Sequence, residues 1–460
     1  MTLAYPPRSL SRARIGAACL ALLVLATALG AAPPAFEPSE IAERREKVLA
    51  AMRERAGEGF GFLVLRAPPP DRFAGDVDYL YRPENALHYL TALAHDRCAL
   101  LLATEPIGEH GHAILFHEPA SDDERLWVGE RPSLREAAER AGLSTDAVLR
   151  LDRLPELVRR AARRSRQPIV WLETNGGFDP GEPLTEPYTF LLETLGSEAF
   201  GLEIRSPGEL IDRLREVKSE REIVLLEDAV KVTEDALRAA FRTARPGAFE
   251  YELRAAIEGT YLRRGMTWGF PSIIGSGPNS CVLHYQEYGR RLEPGEVVLL
   301  DVGAENAFYS ADVTRTIPVD GKFTTRQRQI YEIVLAANRA GIEAIRPGAR
   351  LREVEAIARE TVARGLVEIG MIPSENRVRE YLPHGISHGI GLDVHDPIVS
   401  DELRPGMVIT VEPGIYIRSE SLGIRIEDDV LVTPDGHRVL SSGIPKDVDE
   451  IERLLSSREL

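Results

Sequence analysis

Cysteine is scarce, with three in 460 residues, and a disulfide-stapled scaffold is excluded. The 38 glycines and 31 prolines follow no collagen-like period and form no low-complexity tract, which excludes a fibrous or disordered chain. Positive charge is also short. Fifty-six Lys and Arg stand against 72 Asp and Glu, a formal charge of −16. So acidic a surface repels nucleic acid phosphates and anionic lipid headgroups, so neither is expected as a partner. Beyond the amino-terminal stretch, no segment approaches the roughly 18 apolar residues of a membrane span. What remains is an ordinary globular composition, 43% apolar and 28% charged, long enough for two or three domains.

The first 32 residues carry arginines and no acid. Arg8, Arg12 and Arg14 precede an uncharged run over 15–30, with small residues at Ala26-Thr27-Ala28 and Gly30-Ala31-Ala32. A basic region, a short apolar stretch and a small-residue cleavage site read as a secretory signal over 1–32. An exported protein, periplasmic or secreted, is expected; an uncleaved membrane anchor is the alternative. Cys19 lies too early in the stretch for a lipoprotein cysteine, and Cys98 and Cys281 fall in different domains.

Residues 36–205 mix short apolar runs (60–65, 98–103, 114–116, 169–172) with helical stretches such as 133–141, which predicts an α/β domain built on a sheet. His88, His95, His110, His112 and His117 lie here in no metal-ligand spacing and read as surface or structural histidines. Ser206-Pro207 opens a helix, and Ser219-Glu220-Arg221-Glu222 is a capping box that starts another. The helical connection 206–218 is taken as the linker to a second domain over 219–455.

The second domain repeats itself. Helix, Arg245-Pro246-Gly247, helix recurs as helix, Arg346-Pro347-Gly348, helix. Pro294-Gly295-Glu296-Val297-Val298-Leu299-Leu300-Asp301 recurs as Pro405-Gly406-Met407-Val408-Ile409-Thr410-Val411-Glu412, each apolar run ending in an acid. A histidine stands 17 residues before each acid, His284 before Asp301 and His395 before Glu412, and a second acid follows, Asp312 or Glu427. Three polar residues in register indicate two related halves, expected to face each other around a shared centre.

A hairpin centred between Asn306 and Ala307 would place Asp301 opposite Asp312, with Cβ atoms about 5 Å apart. Alternation puts Glu412 and Glu427 on equivalent positions of the second copy. Four converging carboxylates repel one another unless positive charge sits among them. A pair of divalent metal ions is the simplest remedy; arginine is the alternative, and Arg425 alone cannot neutralise four acids. His384, His388 and His395, three histidines in 12 glycine-rich residues, offer a nitrogen ligand. One histidine with four carboxylates is a hard donor set that favours Mn²⁺ over a thiolate-type zinc site. Such a site would activate water and polarise a carbonyl, which is hydrolase chemistry. Asp428 and Asp429 read as solvated turn residues, Glu287 and Glu420 as loop charges, and His437 as a turn residue.

Val282-Leu283-His284-Tyr285, Leu300-Asp301-Val302-Gly303-Ala304-Glu305, Ala311-Asp312-Val313-Thr314-Arg315-Thr316, Ser387-His388-Gly389-Ile390-Gly391-Leu392-Asp393-Val394-His395-Asp396, Val411-Glu412-Pro413-Gly414 and Ile424-Arg425-Ile426-Glu427-Asp428-Asp429 resemble the motifs of the pita-bread metallopeptidases. Tyr79-Leu80-Tyr81-Arg82-Pro83-Glu84-Asn85 with His88-Tyr89-Leu90-Thr91 resembles the amino-terminal domain of the aminopeptidase P and prolidase branches, which methionine aminopeptidases lack. The resemblance is strongest to bacterial aminopeptidase P.

It implies an α/β (α+β) chain, a creatinase/aminopeptidase P-like domain followed by a duplicated pita-bread domain. It implies two metal ions, usually Mn²⁺, on Asp301, Asp312, His388, Glu412 and Glu427, with Asp312 and Glu427 bridging. It further implies attack by a metal-bridging hydroxide on the carbonyl before proline, with Glu412 shuttling the proton. His284, His384 and His395 would contact substrate, and Arg425 would hold a metal-binding aspartate. Peptides with proline at the second position would be the partners, and a homo-oligomer, dimer or tetramer, is expected. Two departures from the family pattern, Gly389-Ile390 in place of Trp-Leu and a short loop over 418–423, are expected at the pocket rim. The short loop is expected to open an exit near Glu412. A prolidase, and more distantly a pita-bread protein without metallopeptidase activity, are the alternatives.

Overall fold

The structure is a computed structural model that describes residues 35–173 and 186–457. The segment 1–32 read as a signal lies outside the described residues.

Strand alternation builds the amino-terminal domain. In the strand Gly61–Arg66, Leu63 and Leu65 point to one face and Phe62 and Val64 to the other, and all four are buried. The sheet therefore needs cover on both sides. Helices Pro38–Ala56, Asn85–Thr91 and Leu134–Ala141 pack on the Leu63 face, and Leu154–Ala162 with Glu186–Leu195 on the Phe62 face. Six strands run in the order Val148–Leu149, Ala113–His117, Cys98–Ala103, Gly61–Arg66, Ile169–Trp171, Glu203–Arg205. Cys98–Ala103 pairs antiparallel with both its neighbours, and the other three pairs are parallel.

After the helix Gly208–Arg215, Ser219 and Glu222 form the expected capping box of the helix Glu220–Thr243. The duplication is visible in backbone detail. Gly247 and Gly348 turn at φ +87° and +81°, and their amides donate to Leu292 O and Leu403 O at 2.8 and 2.9 Å. Positive φ at both turns is what glycine supplies without strain. The helix pairs Glu220–Thr243 with Glu250–Arg263, and Thr325–Glu343 with Leu351–Glu368, flank two antiparallel pairs, Val297–Val302 with Val313–Pro318 and Val408–Val411 with Asp428–Thr433. One continuous core holds Val302, Val313 and Ile317 together with Ile409, Val411 and Val430. The halves meet where the Glu427 amide donates to Thr314 O at 3.1 Å and Thr316 Oγ1 donates to Arg425 O at 3.0 Å.

The first hairpin departs from the expected register by two residues. Asp301 pairs with Thr314 rather than Asp312, and Asn306 pairs with Tyr309 across Ala307-Phe308. Those two residues have φ +49° and +71°, the signature of a type I′ turn formed without Asn or Gly. A shift by two keeps every side chain on its face.

Candidate active site

Each half delivers two acids at or beside the ends of its strand pair. Asp301 lies near the end of Val297–Val302 and Asp312 immediately before Val313–Pro318. Glu412 follows Val408–Val411 and Glu427 precedes Asp428–Thr433. His388 comes from a loop tied along the strand Val408–Val411, with the Thr410 amide donating to His388 O at 2.9 Å and Glu412 N to Ile386 O at 2.8 Å. Its Nε2 lies 3.7 Å from Asp312, 3.5 Å from Glu412 and 3.9 Å from Glu427. Among the described residues, Asp312, His388 and Glu427 form a group whose donor atoms all lie within 4.8 Å of one another.

Asp301 joins through Arg425, whose Nη2 is paired with its Oδ2. Arg425 also donates to Tyr416 Oη at 2.7 Å and to Thr314 Oγ1 at 3.2 Å, and Thr314 in turn donates to Glu427 at 2.7 Å. His384 faces Tyr416 Oη at 2.9 Å through Nε2, and its Nδ1 is 3.7 Å from Glu412. His284 and His395 line the same cleft, of about 560 Å³, with Phe270, Ile273, Leu283 and Val394 as apolar wall. The His395 and His388 rings lie 4.2 Å apart. The cleft thus brings together the eight residues singled out from the sequence as ligands or substrate contacts, together with Arg425.

The electrostatics of this cluster are those of acids short of a counter-charge. Burial first, then the neighbouring Glu427, pushes the Asp312 carboxyl well above the usual range. Burial and Glu427 do the same to Glu412, while burial and Asp301 push Glu427 up to about 8. Burial holds His384 and His388 down to about 4. The buried atoms Asp301 Oδ1 and Asp312 Oδ1 have no hydrogen-bond partner. Unpartnered oxygens aimed into a cluster of hard donors fit divalent cations.

Four expectations are corrected. Asp428 and Asp429 are not solvated: they are 0% and 1% exposed. Asp428 is paired with Arg315 and Lys446 at 2.7 and 2.6 Å, and Asp429 accepts the Asp312 amide at 3.1 Å. The 418–423 loop does not border Glu412. It forms the tip of the hairpin Gly414–Ile417/Leu422–Arg425, whose other end adjoins the acid, and Gly423 N donates to Ser280 Oγ at 2.7 Å. Gly389 and Ile390 are buried rather than on the rim. A Cβ on Gly389 would lie 2.5 Å from Asp396 O. Of the remaining expectations, His88 is buried with its Nδ1 at 3.0 Å from Leu93 O, a structural histidine. His437 is not a turn residue: it lies within the strand Gly436–Val439, paired with Val432, and its Nδ1 is 2.9 Å from Ile345 O.

The sequence pattern assigns no part in the site to Thr314, Tyr416 or Asp429. Thr314 and Asp429 each stand two residues from a site acid, the same-face spacing of a strand, and that signal was available. Tyr416 reaches Arg425 across a hairpin and carries no local pattern.

This fold and acid-rich cleft define a hydrolytic metallopeptidase. The family model of metallopeptidase family M24 matches residues 224–434, and that of the aminopeptidase P N-terminal domain matches 41–171. The Xaa-Pro aminopeptidase of Escherichia coli (strain K12) is 33% identical over 434 residues, covering 88% of this chain and 96% of the relative. That of Haemophilus influenzae is 32% identical, covering 91% and 97%. Among solved structures, aminopeptidase PepP of Pseudomonas aeruginosa superposes with a TM-score of 0.81 at 30% identity over 92% of this chain and 98% of that one. The chain belongs to metallopeptidase family M24, with an aminopeptidase P-type amino-terminal domain ahead of its pita-bread catalytic domain. The fold class expected from the sequence holds.

Proposed function

We propose that this chain is an Xaa-Pro aminopeptidase that removes the first residue of peptides with proline in second position. One observation carries the reading: four carboxylates and His388 meet in a cleft also lined by His284, His384 and His395. The relatives named Xaa-Pro aminopeptidase, matched over nearly their whole length, support the substrate class.

Asp301, Asp312, His388, Glu412 and Glu427 would hold two divalent ions, with Mn²⁺ suiting the oxygen-rich set. Such ions, when bound, supply Lewis-acid polarisation of a carbonyl and a water of lowered pKa. Glu412, beside His384 and His388, would take a proton and deliver it to the departing proline nitrogen. Arg425 fixes one face of Asp301, leaving Oδ1 directed elsewhere. His284 and His395, exposed at the cleft, are the contacts for the peptide carbonyl. Proline offers no N–H and a rigid ring, and Phe270, Ile273, Leu283 and Val394 give an apolar wall for it.

Mass spectrometry of products from a panel of Xaa-Pro-Yaa peptides and Xaa-Pro dipeptides tests the assignment. Release of the first residue from tripeptides at least as readily as from dipeptides is expected. Turnover confined to dipeptides would assign a prolidase instead.

The pattern over 1–32 supports an exported protein, and amino-terminal sequencing from the native host should find a start between residues 29 and 35. An intact Met1 in the membrane fraction would favour an anchor. Sedimentation should find a dimer or tetramer.

A further inference from the structure

The connector between the domains is more than a tether. Arg215, Glu216 and Lys218 are all buried, at 8%, 1% and 5% exposure. Burying a charge costs several kcal/mol unless it is paired and hydrogen-bonded. A segment that only joined two domains would leave these side chains in water.

All three charges engage residues 393–404. Arg215 Nη2 donates to Asp396 Oδ1 at 2.6 Å and to Asp393 Oδ2 at 2.5 Å. Lys218 Nζ donates to Asp396 Oδ2 at 3.0 Å. Glu216 accepts from Val399 N at 2.9 Å and Ser400 N at 3.0 Å, and pairs with Arg404. The amino-terminal domain adds to this, with Asn85 Nδ2 donating to Asp393 Oδ1 at 2.7 Å and Arg82 to Leu392 O at 2.6 Å.

The clasped residues close the loop that carries two cleft histidines. The Asp396 amide donates to Gly389 O at 2.9 Å, next to His388, and Asp396 directly follows His395. The Gly391 amide donates to Asp393 O at 3.0 Å, and a Cβ on Gly391 would lie 2.7 Å from the Asp396 carboxylate. The loop is thus drawn tight on Asp396, and Asp396 is held from outside by Arg215 and Lys218.

We propose that Arg215 and Lys218 are positioning residues for the cleft, fixing the loop of His388 and His395 through Asp393 and Asp396. On this reading the connector and amino-terminal domain set the geometry of a site to which they give no ligand. The catalytic part of the proposal rests on the peptidase reading above.

Lys218→Met, Lys218→Arg and, as a control, exposed Arg213→Met test it in the full chain by hydrogen-exchange mass spectrometry and steady-state kinetics on Xaa-Pro-Yaa. In Lys218→Met, exchange over 385–396 should quicken about tenfold while the sheet strands of the amino-terminal domain stay protected. Its kcat should fall about tenfold to a hundredfold with KM within about threefold, because small misplacements of this kind cost rate. Lys218→Arg should restore most of both, and Arg213→Met should change neither. If Lys218→Met does not fold, Asp393→Asn, at a half-exposed carboxylate, should show the same selective loosening. Unchanged protection over 385–396 in a folded variant would overturn the clasp. Loosening without loss of kcat would overturn the positioning role. A wild-type protein inactive on Xaa-Pro-Yaa would count against the substrate reading, while the exchange data would still decide the clasp.

Discussion

Glu427 and Asp428 are neighbours in the chain, both buried, on opposite faces of one strand start, and their charges meet different fates. Asp428 is met by the chain's own cations: Arg315 and Lys446, with Ser441 donating at 2.7 Å, outweigh burial and hold its carboxyl well below the usual range. Glu427 faces Asp312, Glu412 and His388, and burial with Asp301 pushes it up to about 8. The first cluster is complete as folded and joins strands; Arg315 also donates to Glu427 O at 2.6 Å and Ile444 O at 3.0 Å. The second is left wanting positive charge. A chain able to place Arg315 and Lys446 against Asp428 could have done so one residue earlier. That it does not marks the Glu427 side as a place for an external cation.

Four outcomes follow, the largest effect first. Glu412→Gln and Glu427→Gln each remove a charge from the uncompensated cluster with little change of shape. Turnover should fall by about a hundredfold or more, with weaker metal binding, as elemental analysis and kinetics would report. A near-wild-type rate with metal fully bound would remove Glu412 from its assigned role.

On the compensated side, Arg315→Met leaves Asp428 buried with Lys446 alone. Breaking a buried pair by deleting one partner costs about 3–5 kcal/mol, which denaturant titration would register as a large loss of stability. A loss below about 1 kcal/mol would show the two clusters to be alike.

The third outcome is a pH dependence of the metal-free protein. The folded chain holds a proton on Glu427 up to about 8, whereas the unfolded chain releases it near the ordinary 4.5 of a glutamate. This stabilisation is full below the unfolded value and is lost as pH rises through the folded one. Asp312 and Glu412 shift in the same direction. Asp428, with the opposite shift, is protonated only in acid and does not titrate in this window. Metal-free protein should therefore be less stable at about pH 9 than at about pH 7, where His384 and His388, held down to about 4, are mostly neutral folded or unfolded, and added Mn²⁺ should reverse much of the difference. A flat profile would mean the acids are already compensated.

The smallest effect is expected at His437→Ala, which should leave turnover within about twofold, as a residue remote from the cleft should. A large loss there would misplace the site.

The duplicated register was legible in the sequence because its signals are local and repeated. Proline-glycine turns, apolar runs ending in acids, and the preceding histidines recur at matched spacings, so Asp301, Asp312, Glu412 and Glu427 could be found without coordinates. The turn register was not legible, because Ala307 and Phe308 adopt positive φ without the Asn-Gly chemistry that usually announces it. The burial of Asp428 is not legible for another reason: its partner Arg315 lies 113 residues away, and no spacing rule links them. The clasp of the connector escaped likewise, since Lys218 and Asp396 are separated by 178 residues. Partnership across such distances is set by packing of the two halves and the amino-terminal sheet, which pattern alone does not resolve.

If divalent cations complete the uncompensated cluster, the filled cluster should hydrolyse Xaa-Pro peptides. Equilibrium dialysis with elemental analysis, paired with cleavage of one Xaa-Pro-Yaa peptide, tests it directly. Protein stripped by a chelator should release no first residue. Titration with Mn²⁺ should restore release in step with binding, saturating at about two ions per chain. Full activity in protein shown to be metal-free would contradict the account.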